Sequence, residues 1–280
     1  MTDWTAVIEQ RRSVRRYSCE PLSAETLGTL RRCMREAAPL DERVSLAFEL
    51  TAFERIGSAA AVGAMPIFTT APWYLVAHGP AGPGRMAEIG FRMEQVILAA
   101  TSLHLGTCWI GGFFNARVLA PLAECPKEDI VAISPVGYAE KGRLRGISYA
   151  IGEFFAYRRG KRKPLTDFCF WQSWGRALQP MDVSSTVYQA LEMARLAPSW
   201  SNVQPWCFLA REGEVYAFAD SRPKRTNNRP KKPYYELDTG IAMSHFWLAM
   251  GEGDWEPLGG RRPEGLEAPE WAVPLGRYEV

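Results

Sequence analysis

The 280-residue chain is 47% hydrophobic and 23% charged, a composition ordinary for a soluble globular protein with enough apolar mass for one large domain or two small ones. Its 33 Lys and Arg balance 31 Asp and Glu to a formal charge of +2, so no overall field recruits nucleic acid or a membrane surface. Six cysteines without a C-x-x-C pair, and three histidines outside any zinc-ligand spacing, point to reduced thiols, no structural metal and a cytoplasmic protein.

The chain opens on "MTDWTAVIEQRR", where Asp3 and Glu9 interrupt any secretory apolar run. A first helix with Trp4, Val7 and Ile8 on its apolar face ends in "RRSVRRY" (11–17). Four arginines around one serine suit a phosphate or an electron-rich heterocycle; they also read as a solvated basic helix end that complements the helix dipole. A helix within 20–40, N-capped by Ser23, is followed by strands at 47–53 and 73–78. The stretch "GPAGPGR" (79–85) lacks the Lys-Ser/Thr of a phosphate loop and predicts a turn. A long buried helix over 88–106 carries Ile89, Met93, Val96, Ile97 and Ala100 on one face. Arg92, Glu94 and His104 break the longest apolar stretch, 89–114, so no membrane span is predicted. A strand at 129–139 precedes a helix within 179–199, N-capped by Asp182, and strands at 206–210 and 214–220. The segment 222–232 reads as a polar loop; its six basic residues in eleven come without a recognition helix or aromatic repeat, so nucleic acid is not an expected partner. A buried helix at 238–253 follows, and an irregular strap with little helix is expected from Gly259 onward.

Two of these segments repeat. Residues 20–40 and 179–199 align without a gap at an offset of 159, matching Pro21 to Pro180 and Pro39 to Pro198. Residues 88–106 and 238–253 align at an offset of 150, matching Glu88 to Asp238 and Gly90 to Gly240. Interleaved helices and strands with this repeat predict an α+β or α/β protein of duplicated architecture.

The stretch "APSWSNVQPW" (197–206) stops a helix at Pro198 and sets out Ser199, Trp200, Asn202 and Gln204 before a strand. Short polar side chains there can bond a ligand or cap their own turn. Taken with "RRSVRRY", "LGTCWIGGFF" (105–114) and "KRKPL" (161–165), it resembles the FMN-dependent nitroreductase family. Family members carry R-R-S-x-R-x-F/Y near the start, P-S-S-x-N-x-Q-P-W after the second helix, a Gly-rich stretch after a long helix and a late basic R-K-P-L. The order departs from the family's: the serine-asparagine loop arrives in the second half, and "APLDERVSL" (38–46) stands where it belongs, while "FWQSWGR" (170–176) stands where the second half would repeat the arginines.

The resemblance implies an α+β fold with antiparallel-rich sheets flanked by helices, and two similar halves, 1–165 and 166–280, forming a pseudo-dimer in one chain. The family holds FMN at a subunit interface, so one composite site is implied, with a monomer sufficient. Arg11, Arg12, Ser13 and Arg15 would grip phosphate, ribityl chain and pyrimidine edge; Lys161 and Arg162 would complete the phosphate clamp. Pro198, Ser199, Asn202 and Gln204 would close over the flavin, with Trp200 offering an aromatic face where the family often has serine. Ile110, Gly111 and Gly112 would bring backbone to the flavin edge. The implied activity passes hydride from NADH or NADPH through flavin N5 to a nitroaromatic, quinone or similar small acceptor, with no catalytic side chain. A flavin-binding reservoir or sensor without turnover is the alternative.

Overall fold

Two helices that are apolar nearly all round have to be buried on every side, and they form the centre of the molecule. In the computed structural model, which describes residues 2–56, 71–112, 114–140, 161–222, 228–229 and 232–280, these are α4 (Arg85–Ser102) and α7 (Tyr234–Met250). They touch at glycines. A Cβ on Gly90 would lie 2.0 Å from the Leu237 carbonyl oxygen, and one on Gly240 would lie 2.2 Å from that of Ala87. Both contacts convert into each other by the offset of 150, as a two-fold relation between the helices requires.

The rest of each half repeats around this crossing. Helix α1 (Trp4–Gln10) leads to α2 (Ala24–Glu36), which is N-capped by Ser23 through the N–H of Thr26. Strands β1 (Ala47–Ala52), β2 (Trp73–His78), β3 (Gly106–Thr107) and β4 (Ile130–Gly137) make a sheet in the order β1-β2-β4-β3, all pairs antiparallel. Single helical turns α3 (Phe53–Ile56) and α5 (Ala116–Leu119) lie between. In the second half, α6 (Ser185–Arg195) corresponds to α2. Strands β5 (Cys169–Trp171), β6 (Trp206–Arg211), β7 (Glu214–Asp220), β10 (Trp255–Pro257) and β11 (Ala272–Glu279) give the order β10-β11-β7-β6-β5. The run β6-β7-β11-β10 copies β1-β2-β4-β3; Leu50 pairs with Leu75 as Leu209 pairs with Tyr216. One hydrophobic core takes in α4, α7 and both sheets.

The matched acids also do the same thing in both halves. Glu88 Oε2 accepts the N–H of Leu40 at 3.0 Å and of Asp41 at 2.8 Å, and Asp238 Oδ2 accepts the N–H of Trp200 at 3.0 Å. Asp41 and Trp200 are themselves equivalent at the offset of 159. Each acid therefore pins the loop that follows α2 or its counterpart α6.

Four expectations change. Ser184, rather than Asp182, caps α6; Asp182 is engaged with the Gln179 N–H in the turn before it. The tail is not a loose strap, because β11 is an interior strand of the second sheet, between β10 and β7, despite Pro274 and Gly276, with the register shifting between those two residues. Within 222–232, Asn228–Arg229 (β8) pairs with Lys232–Pro233 (β9); the basic residues at 224, 225 and 231 lie outside the described residues. The segment 170–176 is not the structural counterpart of 11–17. It enters the second sheet through β5, parallel to β6, whereas Ser13 and Tyr17 bridge to Thr107 and Ala139 at the other side of the first sheet.

Two outcomes test this core. Gly90→Ala forces a methyl into backbone and should cost about 3 kcal/mol or more in chemical denaturation, whereas Gly28→Ala in open space on α2 should stabilise by about 0.5–1 kcal/mol. Burial holds the Glu88 carboxyl at about 7 against the opposing pull of the Asp41 N–H and Arg92. A carboxyl raised on folding contributes stability that is complete below its unfolded value and lost as pH rises through about 7. Stability should therefore fall by on the order of 3 kcal/mol more in the wild type than in Glu88→Gln as pH is raised from acid to neutral, and identical pH profiles would refute this.

Candidate functional site

Helix α1 is N-capped by Asp3 and ends at Arg11, whose backbone turns extended. The chain then runs beside β3: the Val14 N–H bonds the Thr107 carbonyl at 2.8 Å, and Tyr17 donates its hydroxyl to the Val14 carbonyl at 2.6 Å. This fixes where the arginines emerge. Arg11 is buried, Arg12 exposed, and Ser13 and Arg15 half-buried. Arg12 donates to the carbonyls of Glu9 and Arg11, and Arg15 turns back to the carbonyl of Ser13 at 3.0 Å.

The loop 197–204 comes to the same place. Asn202 accepts from Arg162 Nη1 at 2.5 Å and donates to the Lys161 carbonyl at 3.1 Å, while Arg162 Nη2 donates to the Leu196 carbonyl at 2.9 Å. Burial, and then the charges of Arg11, Arg195 and Arg12, pull Arg162 down to about 10. Arg11 is lowered as well, by burial first, with Glu94 opposing and Arg12 and Arg15 adding to the fall. Guanidinium groups gathered this closely repel one another, and the arrangement is relieved by an anion. Arg11 Nε is buried with no hydrogen-bond partner among the described residues.

Beyond the arginines lies an apolar wall. The Trp200 and Tyr234 rings stack with centroids 4.9 Å apart and an interplanar angle of 29°. They lie over the glycine pair: a Cβ on Gly111 would meet Tyr234 at 2.6 Å and Trp200 at 3.2 Å, and one on Gly112 would meet Trp200 at 3.1 Å. Tyr234 donates its hydroxyl to the Gly111 carbonyl. Ile110 just before them exchanges both backbone bonds with Ile133 at 2.9 Å, which anchors the glycines to β4.

All the residues singled out in the sequence thus lie around one region, but with unequal parts. Ser199 accepts the N–H of Gln204 at 2.9 Å, so its hydroxyl shapes the loop. Gln204 is buried; its side chain accepts from the Lys163 N–H at 3.0 Å and donates to the carbonyls of Lys161 and Asn202 at 3.2 and 3.3 Å. It pins the basic segment to the loop from beneath. Pro198 is half-buried between α6 and the turn at Trp200–Asn202, and the Lys161 side chain is exposed beside Arg162. Ser201, Asn202 and Gln204 sit at φ of +49°, +56° and +51°, a conformation costing non-glycine residues about 1 kcal/mol or more each. Asp238, Gln204 and Arg162 hold the chain in it.

Residues 3–250 match the family described as "Putative TM nitroreductase". The chain belongs to this nitroreductase family. Among solved structures it is similar to a "putative nitroreductase" from Thermotoga maritima, at 19% identity and a TM-score of 0.61, over 99% of this chain and 92% of that one. A "putative nitroreductase" from Desulfovibrio desulfuricans, solved in complex with FMN, is 21% identical with a TM-score of 0.43, over 54% of this chain and 95% of that one. An FMN-dependent nitroreductase from Clostridium difficile is 17% identical with a TM-score of 0.42, over 51% and 91%. No curated protein matches. The Thermotoga likeness shares the whole two-half fold of this nitroreductase-family chain. Among the described residues no helix is long and apolar enough to cross a membrane, and no group of His, Cys, Asp or Glu could hold a metal ion.

Sequence reasoning missed Tyr234, Lys163, Glu94, Trp109 and His245, which support the site from behind. Tyr234 lay hidden beside a polar loop, and its partner Trp200 is 34 residues away in sequence. Glu94 left a visible trace as an acid inside an apolar helix, but nothing in the pattern named its partners.

Gln204→Leu keeps the volume but strands the Lys163 N–H and the Lys161 carbonyl. It should cost about 1–3 kcal/mol in thermal denaturation; a variant as stable as wild type would mean the loop is not pinned there.

Proposed function

We propose that this chain is an FMN-dependent oxidoreductase with one flavin site, built from the arginines of the first half and the loop 197–204 of the second. The observation that carries this reading is the meeting of Arg11, Arg12 and Arg162 with Asn202 and the Gly111–Gly112 backbone. The residues fit the cofactor at both ends. Arg11, buried and without a hydrogen bond at Nε among the described residues beside its 3.8 Å ion pair with Glu94, and the gathered guanidiniums suit a phosphate; the flat Trp200–Tyr234 wall beside the glycine pair suits a tricyclic ring.

When bound, FMN would supply two-electron redox chemistry between NADH or NADPH as donor and a nitroaromatic, quinone or related small acceptor. The protein's own part is binding and orientation. Arg11, Arg12, Arg15 and Arg162, with Lys161 at the edge, would hold the phosphate and ribityl chain. Asn202 aims Arg162, and Ser13, Ser199 and Pro198 would line the ribityl side. Trp200 would present its indole to the ring and keep bulk water from it, with the Gly111–Gly112 backbone beside it. The reading needs no side chain to act as acid or base.

The chain supplies both halves, 1–165 and 166–280, as a pseudo-dimer, so a monomer suffices. A cytoplasmic location and reduced cysteines accord with a nicotinamide donor; all six cysteines are free.

Purified protein should bind FMN and oxidise NADH or NADPH when a quinone or nitroaromatic is added. Arg11→Ala and Arg162→Ala should each weaken FMN binding about 10- to 100-fold with an unchanged far-ultraviolet circular dichroism spectrum. Protein that takes up no FMN would refute the site, and bound FMN that neither nicotinamide reduces would refute the oxidoreductase.

A further inference from the structure

Glu94 is a carboxylate with no exposed surface in the middle of α4, and isolating a charge there costs several kcal/mol unless partners offset it. The two comparable acids, Glu88 and Asp238, bond backbone N–H groups of a neighbouring loop. Glu94 faces side chains instead, and from three different elements. Its Oε2 accepts the Trp109 indole N–H at 2.6 Å; its Oε1 lies 2.9 Å from His245 Nε2 on α7 and 3.8 Å from Arg11 Nε at the end of α1. The duplication does not account for it. The α7 position matching Glu94 is Ser244, whose hydroxyl is buried with no hydrogen-bond partner among the described residues.

Each partner belongs to a different wall of the proposed site. Arg11 is the buried cation of the phosphate end. Trp109 directly precedes Ile110, Gly111 and Gly112. His245 Nδ1 bonds the Met193 carbonyl at 3.0 Å, near the end of α6, from which the loop 197–204 departs. We propose that Glu94 is the positioning residue of the flavin site, setting Arg11 against the phosphate and, through Trp109, the glycine backbone against the ring. This rests on the flavin reading above.

The protons support a role in placement over one in charge. A carbonyl only accepts, so His245 Nδ1 carries a hydrogen, and the contact between Nε2 and Oε1 holds one further proton between two acceptors. The Glu94–His245 pair is thus neutral overall, and Arg11 keeps its charge for an anion. Glu94→Gln leaves that neutrality unchanged: the amide oxygen still accepts from Trp109 and the amide N–H meets the bare Nε2. What the amide loses is any attraction for Arg11, which then faces a donor.

The experiment compares FMN with riboflavin, which lacks the phosphate, in wild type, Glu94→Gln, Arg11→Ala and the double variant. Wild type should favour FMN. Glu94→Gln should reduce that preference about tenfold and add nothing in the Arg11→Ala background. It should also shift the visible bands of bound flavin and, without flavin, move the Trp109 indole N–H resonance, assigned with Trp109→Phe. Trp109→Phe should shift the flavin bands yet keep the preference for FMN, and this arm decides the question if Glu94→Gln does not fold. Equal loss of FMN and riboflavin, additive loss in the double variant, or unshifted bands in Trp109→Phe would overturn the positioning role. A wild type that binds neither flavin, or binds both alike, would instead overturn the flavin reading and this inference with it.

Discussion

The structure depends on the contact between Gly90 and Gly240. With any side chain at either position, α4 and α7 could not approach backbone to backbone, and the two halves would lose their shared core. The close approach has a functional consequence as well as a structural one. It brings Glu94 of one helix against His245 of the other, so the elements at the site's edges, α1, the Trp109–Gly112 stretch and the end of α6, are referred to one rigid pair. A site assembled from segments almost 200 residues apart in sequence then needs no flexible docking to form.

The site itself is less stable than its surroundings by construction. Arg11 and Arg162 are lowered first by burial and then by neighbouring arginines, and three residues of the facing loop sit in left-handed backbone. Nothing about folding alone favours such an arrangement. The compensation is local and traceable: Asp238 holds the Trp200 N–H, Gln204 ties Lys161 and Lys163 down, and the Tyr234 ring backs Trp200. Duplication explains part of this economy. The acid that pins a structural loop in the first half, Glu88, corresponds to the one that pins the loop at the proposed site in the second.

Much of the fold was legible in the sequence because it rests on short-range patterns. The β1, β2, β4, β6 and β7 strands follow runs of β-branched and aromatic residues, and the Pro21/Pro180 and Glu88/Asp238 matches exposed the repeat. Strand β11 was not legible, since Pro274 and Gly276 imitate a loop and only its two neighbours in the sheet make it a strand. The arginines and the Ser199–Gln204 loop stood out as local clusters. Their division of labour did not, because Gln204 and Asn202 act on Lys163, Lys161 and Arg162, and such pairings depend on tertiary placement. Asp182 and Ser184 illustrate the remaining ambiguity: both suit an N-cap, and the hydrogen bond to the Val187 N–H falls to Ser184.

The most direct measurement is a crystal structure of the protein grown with FMN. One flavin per chain is expected, its phosphate among Arg11, Arg12 and Arg162 and its ring beside Trp200 and the Gly111–Gly112 stretch. Flavin bound across two separate chains, or lodged away from these arginines, would contradict it.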